Sequence, residues 1–132
     1  MIGRNEILLV WITFFLMMAL TTNAGFLVSG DVWELVIAAV FNLCALMVKW
    51  KLKTDFMGRV SLALSIAAVL HIVPAALIGL IDPALGIDGG IDVSNIVAGS
   101  TESAIYGLTF GAFVANIVSA MLLIVEAATK SR

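Results

Sequence analysis

The chain has one cysteine (Cys44), two prolines, one histidine (His71) and one tyrosine, and only 12% of its 132 residues are charged. A single cysteine excludes an internal disulfide and a cysteine-rich metal site. A single histidine excludes a bis-histidyl haem within one chain. With no cysteine near it, it also argues against a transition-metal site. The net charge of −2 argues against nucleic-acid binding. No nucleophile–base pair, phosphate loop or zinc helix occurs in the sequence. At 132 residues the chain holds one small bundle and no separate catalytic domain. Neither enzyme activity nor a cofactor is expected.

What is present is apolar. The sequence is 62% hydrophobic with a mean hydropathy of +1.15, against about 45–50% apolar residues in soluble domains. This is the composition of a membrane protein. A span needs about 20 mainly apolar residues, and the stretches 7–28, 32–48, 60–81 and 103–128 meet that need. They predict an all-α protein, a single domain of four transmembrane helices in an antiparallel up-down bundle.

The charges orient it. Lys49, Lys51, Lys53 and Arg59 lie between the second and third spans against one acid, Asp55. Asp31 sits in the first turn, and Asp82, Asp88, Asp92 and Glu102 in the long loop before the fourth span. Arg4 precedes the first span, and Lys130 and Arg132 follow the last. Basic loops stay cytoplasmic, so both termini are expected inside. Trp33 and Tyr106 then mark the outer boundary and Trp50 the inner one.

The first span has a competing reading as a secretory signal cut after Thr22-Asn23-Ala24. The apolar run continues through Gly25, Phe26, Leu27 and Val28, beyond the 7–15 residues of a signal core. A retained helix is the expectation.

Lipid removes most of the hydrophobic drive between helices, so small residues that permit close approach take over. Gly107, Gly111, Ala115 and Ser119 recur every four residues in the fourth span. Ala68, His71, Ala75 and Gly79 form a stripe in the third, and Glu34, Ala38, Asn42 and Ala45 in the second. Thr21 and Gly25 form a small pair in the first, beside Ala19 and Asn23. These stripes are expected to pack inward, with the Gly107 face as the alternative contact between copies. Pro74 should kink the third helix and free a carbonyl near Leu70.

Polar residues inside the spans are the candidate site: Asn23, Glu34, Asn42, His71 and Asn116. Glu126, close to the cytoplasmic end, is expected to reach water. Glu34 and Asn23 face each other across the first turn, which predicts a Glu34–Asn23 contact with Thr22 nearby. Asn42, His71 and Asn116 are interhelical glue or a polar track. Asp88, Asp92 and Asn95 in the outer loop offer oxygens to Ca²⁺ but lack the EF-hand spacing. That loop reads instead as a turn into a helix capped near Ser94 or Ser100, with no metal expected.

Two fragments, "LTTNAGF" (Leu20–Phe26) and "VWELVIAAVFNLCALMVKW" (Val32–Trp50), resemble a family of small uncharacterised bacterial inner-membrane proteins. The matching positions are Thr21, Asn23, Gly25, Glu34 and Asn42. The resemblance spans roughly residues 7–77 and leaves out the acidic loop and the fourth helix. It implies a bacterial inner membrane and, by analogy, an association with ion-channel and potassium-uptake systems.

Three readings follow. The first is a non-enzymatic accessory or interaction subunit of an ion-handling membrane complex, with the lipid bilayer and another membrane protein, or itself, as partners. The second is a homo-oligomeric channel or transporter whose polar path, lined by Asn42, His71 and Asn116, runs between protomers. The third is a membrane anchor for an enzyme or electron carrier.

Overall fold

A computed structural model describes residues 3–52, 56–81 and 94–130. The described chain is helical: α1 is Arg4–Ser29, α2 Val32–Lys51, α3 Phe56–Ile81 and α4 Ser94–Lys130. All four are long and apolar enough to cross a membrane. Each contains one of the expected spans, and α4 starts at Ser94, well before residue 103. Asp82, Asp88 and Asp92 of the acidic loop, and Lys53, Asp55 and Arg132, lie outside the described residues.

Helix α1 runs unbroken through Thr22, Asn23 and Ala24 to Ser29. It stops because Gly30 adopts the left-handed conformation, φ 72°, and returns its N–H to the Phe26 carbonyl at 2.8 Å. Asp31 then caps α2, its Oδ1 accepting from the Trp33 N–H at 2.9 Å. Two helices are thus closed and opened within three residues.

Each helix packs on the next, and α4 closes back on α1. The α3–α4 seam is the most extensive and the α1–α4 seam the least. Phe14 meets Phe41 between α1 and α2, with ring centroids 6.4 Å apart. Val32 lies against Gly79 between α2 and α3. Phe26 lies on Tyr106 between α1 and α4, with centroids 5.1 Å apart.

The core is built from alanine as much as from large residues. Ala38, Ala68, Ala75 and Ala112 are fully buried with Leu35, Ile72 and Ile105. Ile12, Leu16, Ala45 and Leu123 form a second cluster. Large side chains such as Trp11, Phe14, Met17, Phe110 and Ile124 face outward. This distribution suits a solvent as apolar as the side chains themselves.

Several expected packing positions are corrected. The buried face of α4 is Ile105, Thr109, Ala112, Asn116, Ser119, Leu123 and Glu126; of the four-residue ladder, Ser119 lies on it and Gly111 underlies His71, while Gly107 does not pack inward. Four residues turn an α-helix by about 400°, so a strict i+4 series drifts about 40° per step. The ladder therefore winds round α4. Gly107 is exposed with nothing within 4 Å of where its Cβ would be, Ala115 is half-buried, and Ser119 is inside. Thr21 is also exposed, its hydroxyl bonded back to the Met17 carbonyl. Pro74 is exposed on α3, which continues past it to Ile81. Glu126 does not reach water freely; it is 8% exposed on the inner face of α4.

A Cβ at Gly111 would stand 2.8 Å from Cδ2 of His71, whereas one at Gly107 meets nothing. Gly111→Ala should therefore destabilise the detergent-solubilised protein by about 1–3 kcal/mol, the range for overpacking. Gly107→Ala should leave its thermal unfolding unchanged.

Candidate functional site: a lysine buried among serines

The most unusual group in the bundle is one that charge counting assigns to a cytoplasmic loop. Lys49 is 4% exposed. It lies two residues before the end of α2, on the face that carries Leu35, Ala38, Asn42 and Ala45. These positions are spaced by three and four, so Lys49 continues the inward stripe. Its Nζ donates to Ser61 Oγ at 3.0 Å, the Ser61 carbonyl at 3.3 Å, Ser65 Oγ at 2.6 Å, and Ser119 Oγ. Ser61 and Ser65 are one turn apart on α3, and Ser119 belongs to α4. All three serines are at most 1% exposed.

The serines are also joined to one another. Ser61 Oγ and Ser119 Oγ are 2.9 Å apart, and Ser119 Oγ donates to the Ser61 carbonyl at 3.1 Å. An ammonium has three N–H donors, and four neutral oxygens surround this one. No carboxylate is among them. The cage supplies hydrogen-bond acceptors and no counter-charge, and it ties α2, α3 and α4 at one level.

The positions nominated from sequence divide into three groups. Asn42 is 1% exposed and is satisfied within its own helix, Nδ2 donating to the Ala38 carbonyl at 2.9 Å. Asn23 and Asn116 are fully buried, and neither end of either amide has a hydrogen-bond partner among the described residues. Glu34 and His71 form the third group. Each lies over a glycine of the neighbouring helix, Glu34 over Gly25 and His71 over Gly111.

The expected Glu34–Asn23 contact is absent. Glu34 Oε2 accepts instead from Ser29 Oγ at 2.7 Å, while Ser29 Oγ accepts from the Asp31 N–H at 3.0 Å. Thr22 bonds to the Met18 carbonyl at 2.8 Å and takes no part. The reason is angular. Asn23 shares the inner face of α1 with Ala19 and Phe26, whereas Gly25 lies to the side where α2 passes. Glu34 locks the hairpin turn, and Asn23 points into the bundle.

His71 is half-buried, with Nδ1 2.6 Å from the Ala67 carbonyl. A carbonyl only accepts, so Nδ1 carries a proton and Nε2 is the ring nitrogen left for other contacts. That ring edge fits only because Gly111 has no side chain. Asn42 and Asn116 lie inside the bundle, and His71 turns to α4.

Sequence reasoning passed over Lys49, Ser61 and Ser65. The signal was present: Lys49 falls four residues after Ala45 and seven after Asn42, and Ser61 and Ser65 prolong the stripe of Ala68. The neighbouring Trp50, Lys51 and Lys53 masked it by making Lys49 look like part of a loop.

The chain belongs to DUF6394, a family of unknown function. The match covers residues 29–127. It includes every cage residue together with Asn116, the acidic loop and most of α4, and it begins after Thr21, Asn23 and Gly25. This is consistent with the resemblance to an uncharacterised family over roughly residues 7–77, and the match extends further, over the loop and the fourth helix. No curated protein and no solved structure matches the chain.

Removing a serine should leave a buried ammonium short of an acceptor. Ser65→Ala is expected to cost about 1–3 kcal/mol, read from unfolding in detergent. In a Lys49→Met background the same change should cost little, because the group needing the hydroxyl is gone. Equal serine effects in both backgrounds would show that the cage does not act as one unit. For the hairpin, Asn23→Ala and Glu34→Gln should be additive within about 0.3–0.5 kcal/mol.

Proposed function

We propose that this protein is a non-enzymatic accessory subunit of an ion-handling complex in a bacterial inner membrane. The helices alternate in direction, and both termini lie on the cytoplasmic side. Its partners are the lipid bilayer and another membrane protein.

The observation that carries this reading is where the polar side chains go. Lys49, Asn23, Asn42, Asn116 and the three cage serines turn inward, while the outer surface is broadly apolar. A protein so arranged offers helix faces rather than a catalytic cleft. Gly107 lies on such a face, half-way round α4 and open to close approach by another helix. The paired contacts Phe14–Phe41, Lys49–Ser61 and Ser61–Ser119 support the alternating directions. The cytoplasmic side rests on Arg4, Lys51 and Arg59 against Asp31 and Glu102 at the other ends. The inner membrane and the ion-handling role rest on the resemblance of the first two spans.

The alternative of a homo-oligomeric channel needs polar residues on the surfaces between copies. Asn42 and Asn116 are not there, so this reading is the weaker.

Gentle solubilisation followed by mass measurement tests the proposal. A heteromer is expected, together with no ion flux through liposomes holding this protein alone. A discrete homo-oligomer that conducts would overturn it.

A further inference from the structure

The cage leaves one electrostatic problem open, and the same region holds a group with no partner. Two contacts fix how α3 and α4 face each other. Ser61 is bonded to Ser119 at one level, and His71 lies over Gly111 at another. Going from Ser61 towards His71 along α3 matches going from Ser119 towards Gly111 along α4. On that register Ser65 stands opposite Asn116, one turn from the Ser61–Ser119 pair. Ser65 Oγ is 2.6 Å from the Lys49 Nζ. Asn116 is 0% exposed and uses neither end of its amide among the described residues.

We propose that Lys49, Ser65 and Asn116 form a buried binding site for a small monovalent inorganic anion of the chloride class. Each member supplies a donor or a charge. The lysine brings the positive charge, balanced by none of its four neutral oxygen neighbours. The Ser65 hydroxyl accepts from the ammonium and retains its own proton for donation. The Asn116 amide has two N–H groups to offer. A buried polar group without a partner in a folded protein points to a water or an ion held there. The adjacent charge decides between ions: a cation is repelled and an anion attracted. In a buried site that attraction is little screened, which makes even a weak donor set selective for charge sign. Asn23, on a different helix and outside the cage, is not part of the site. The inference stands on the cage geometry and not on the accessory role.

The test is the thermal unfolding of the purified protein in neutral detergent, with sodium chloride replaced stepwise by sodium gluconate at constant ionic strength. Gluconate is too large for a site between packed helices. The expected result is a melting temperature that rises by several degrees with chloride and then saturates, with bromide acting similarly. Asn116→Leu, which keeps the volume and removes the donors, should abolish the chloride effect, as should Lys49→Met. Asn23→Leu should retain it. If Lys49→Met does not fold, Asn116→Leu decides alone. Identical melting curves in chloride and gluconate would overturn the proposal, leaving water or an unprotonated lysine in the cage. A chloride effect that never saturates, or that survives in Asn116→Leu, would overturn it too.

Discussion

A lysine amine in a helical bundle without a carboxylate beside it must find its solvation from the protein. In hydrocarbon no water competes, so every polar group is satisfied internally or bears a desolvation cost. Lys49 meets that requirement with oxygens from α3 and α4, and much of the bundle follows from it. Three helices have to come close enough for a four-carbon side chain to reach two others. They do so because Ala38, Ala45, Ala68 and Ala112 keep the neighbouring layers thin. The small residues and the charge are one design: close approach makes the cage, and the cage sets the level at which the helices meet.

The first helix stands apart from this arrangement. It contributes nothing to the cage, and its seam with α4 is the least extensive in the bundle. At one end it is held through the Gly30 turn, the Ser29–Glu34 hydrogen bond and the Phe26–Tyr106 contact, and further along by Phe14 against Phe41 and by Ile12 and Leu16 packed with Ala45 and Leu123. Towards its other end a groove of about 160 Å³ separates it from α4, lined by Leu9, Leu16, Leu123 and Ile124 among others. The family match begins at residue 29, just past the body of α1. The cage and the matched stretch therefore coincide in α2–α4, with α1 joined to them through a short turn.

The architecture was legible in the sequence because its signals are long. Stretches of 17–26 apolar residues survive any single exception, and their count and placement agree with the helices found. The candidate site was legible only in part. Asn23, Asn42 and Asn116 were recognisable as buried polar residues from depth alone. Their partners were not, because partnership depends on the angle around the helix, and a misjudgement of one residue rotates a side chain by about 100°. That is why Glu34 was matched with Asn23 when Ser29 and Gly25 receive it. For the same reason a ladder repeating every four residues resembles one face although it drifts about 120° round α4 from Gly107 to Ser119. Lys49 was hidden differently: a lysine beside Trp50 and Lys51 matches the pattern of a membrane boundary, and only the spacing back to Ala45 and Asn42 distinguishes an inward lysine from an outward one.

Stability alone does not account for the cage. A buried ionic group costs several kcal/mol to desolvate, and well-packed apolar residues of similar volume commonly serve a fold as well or better. Four neutral oxygens reduce that cost and supply no counter-charge, so an anion entering or a proton leaving would change the group that holds α2 to α3 and α4. Glu34 at the α1–α2 turn and His71 on the α3–α4 seam each rest on a glycine of the neighbouring helix, so with Lys49 they sit at joints of the bundle, where the size and position of one side chain bear directly on helix contact.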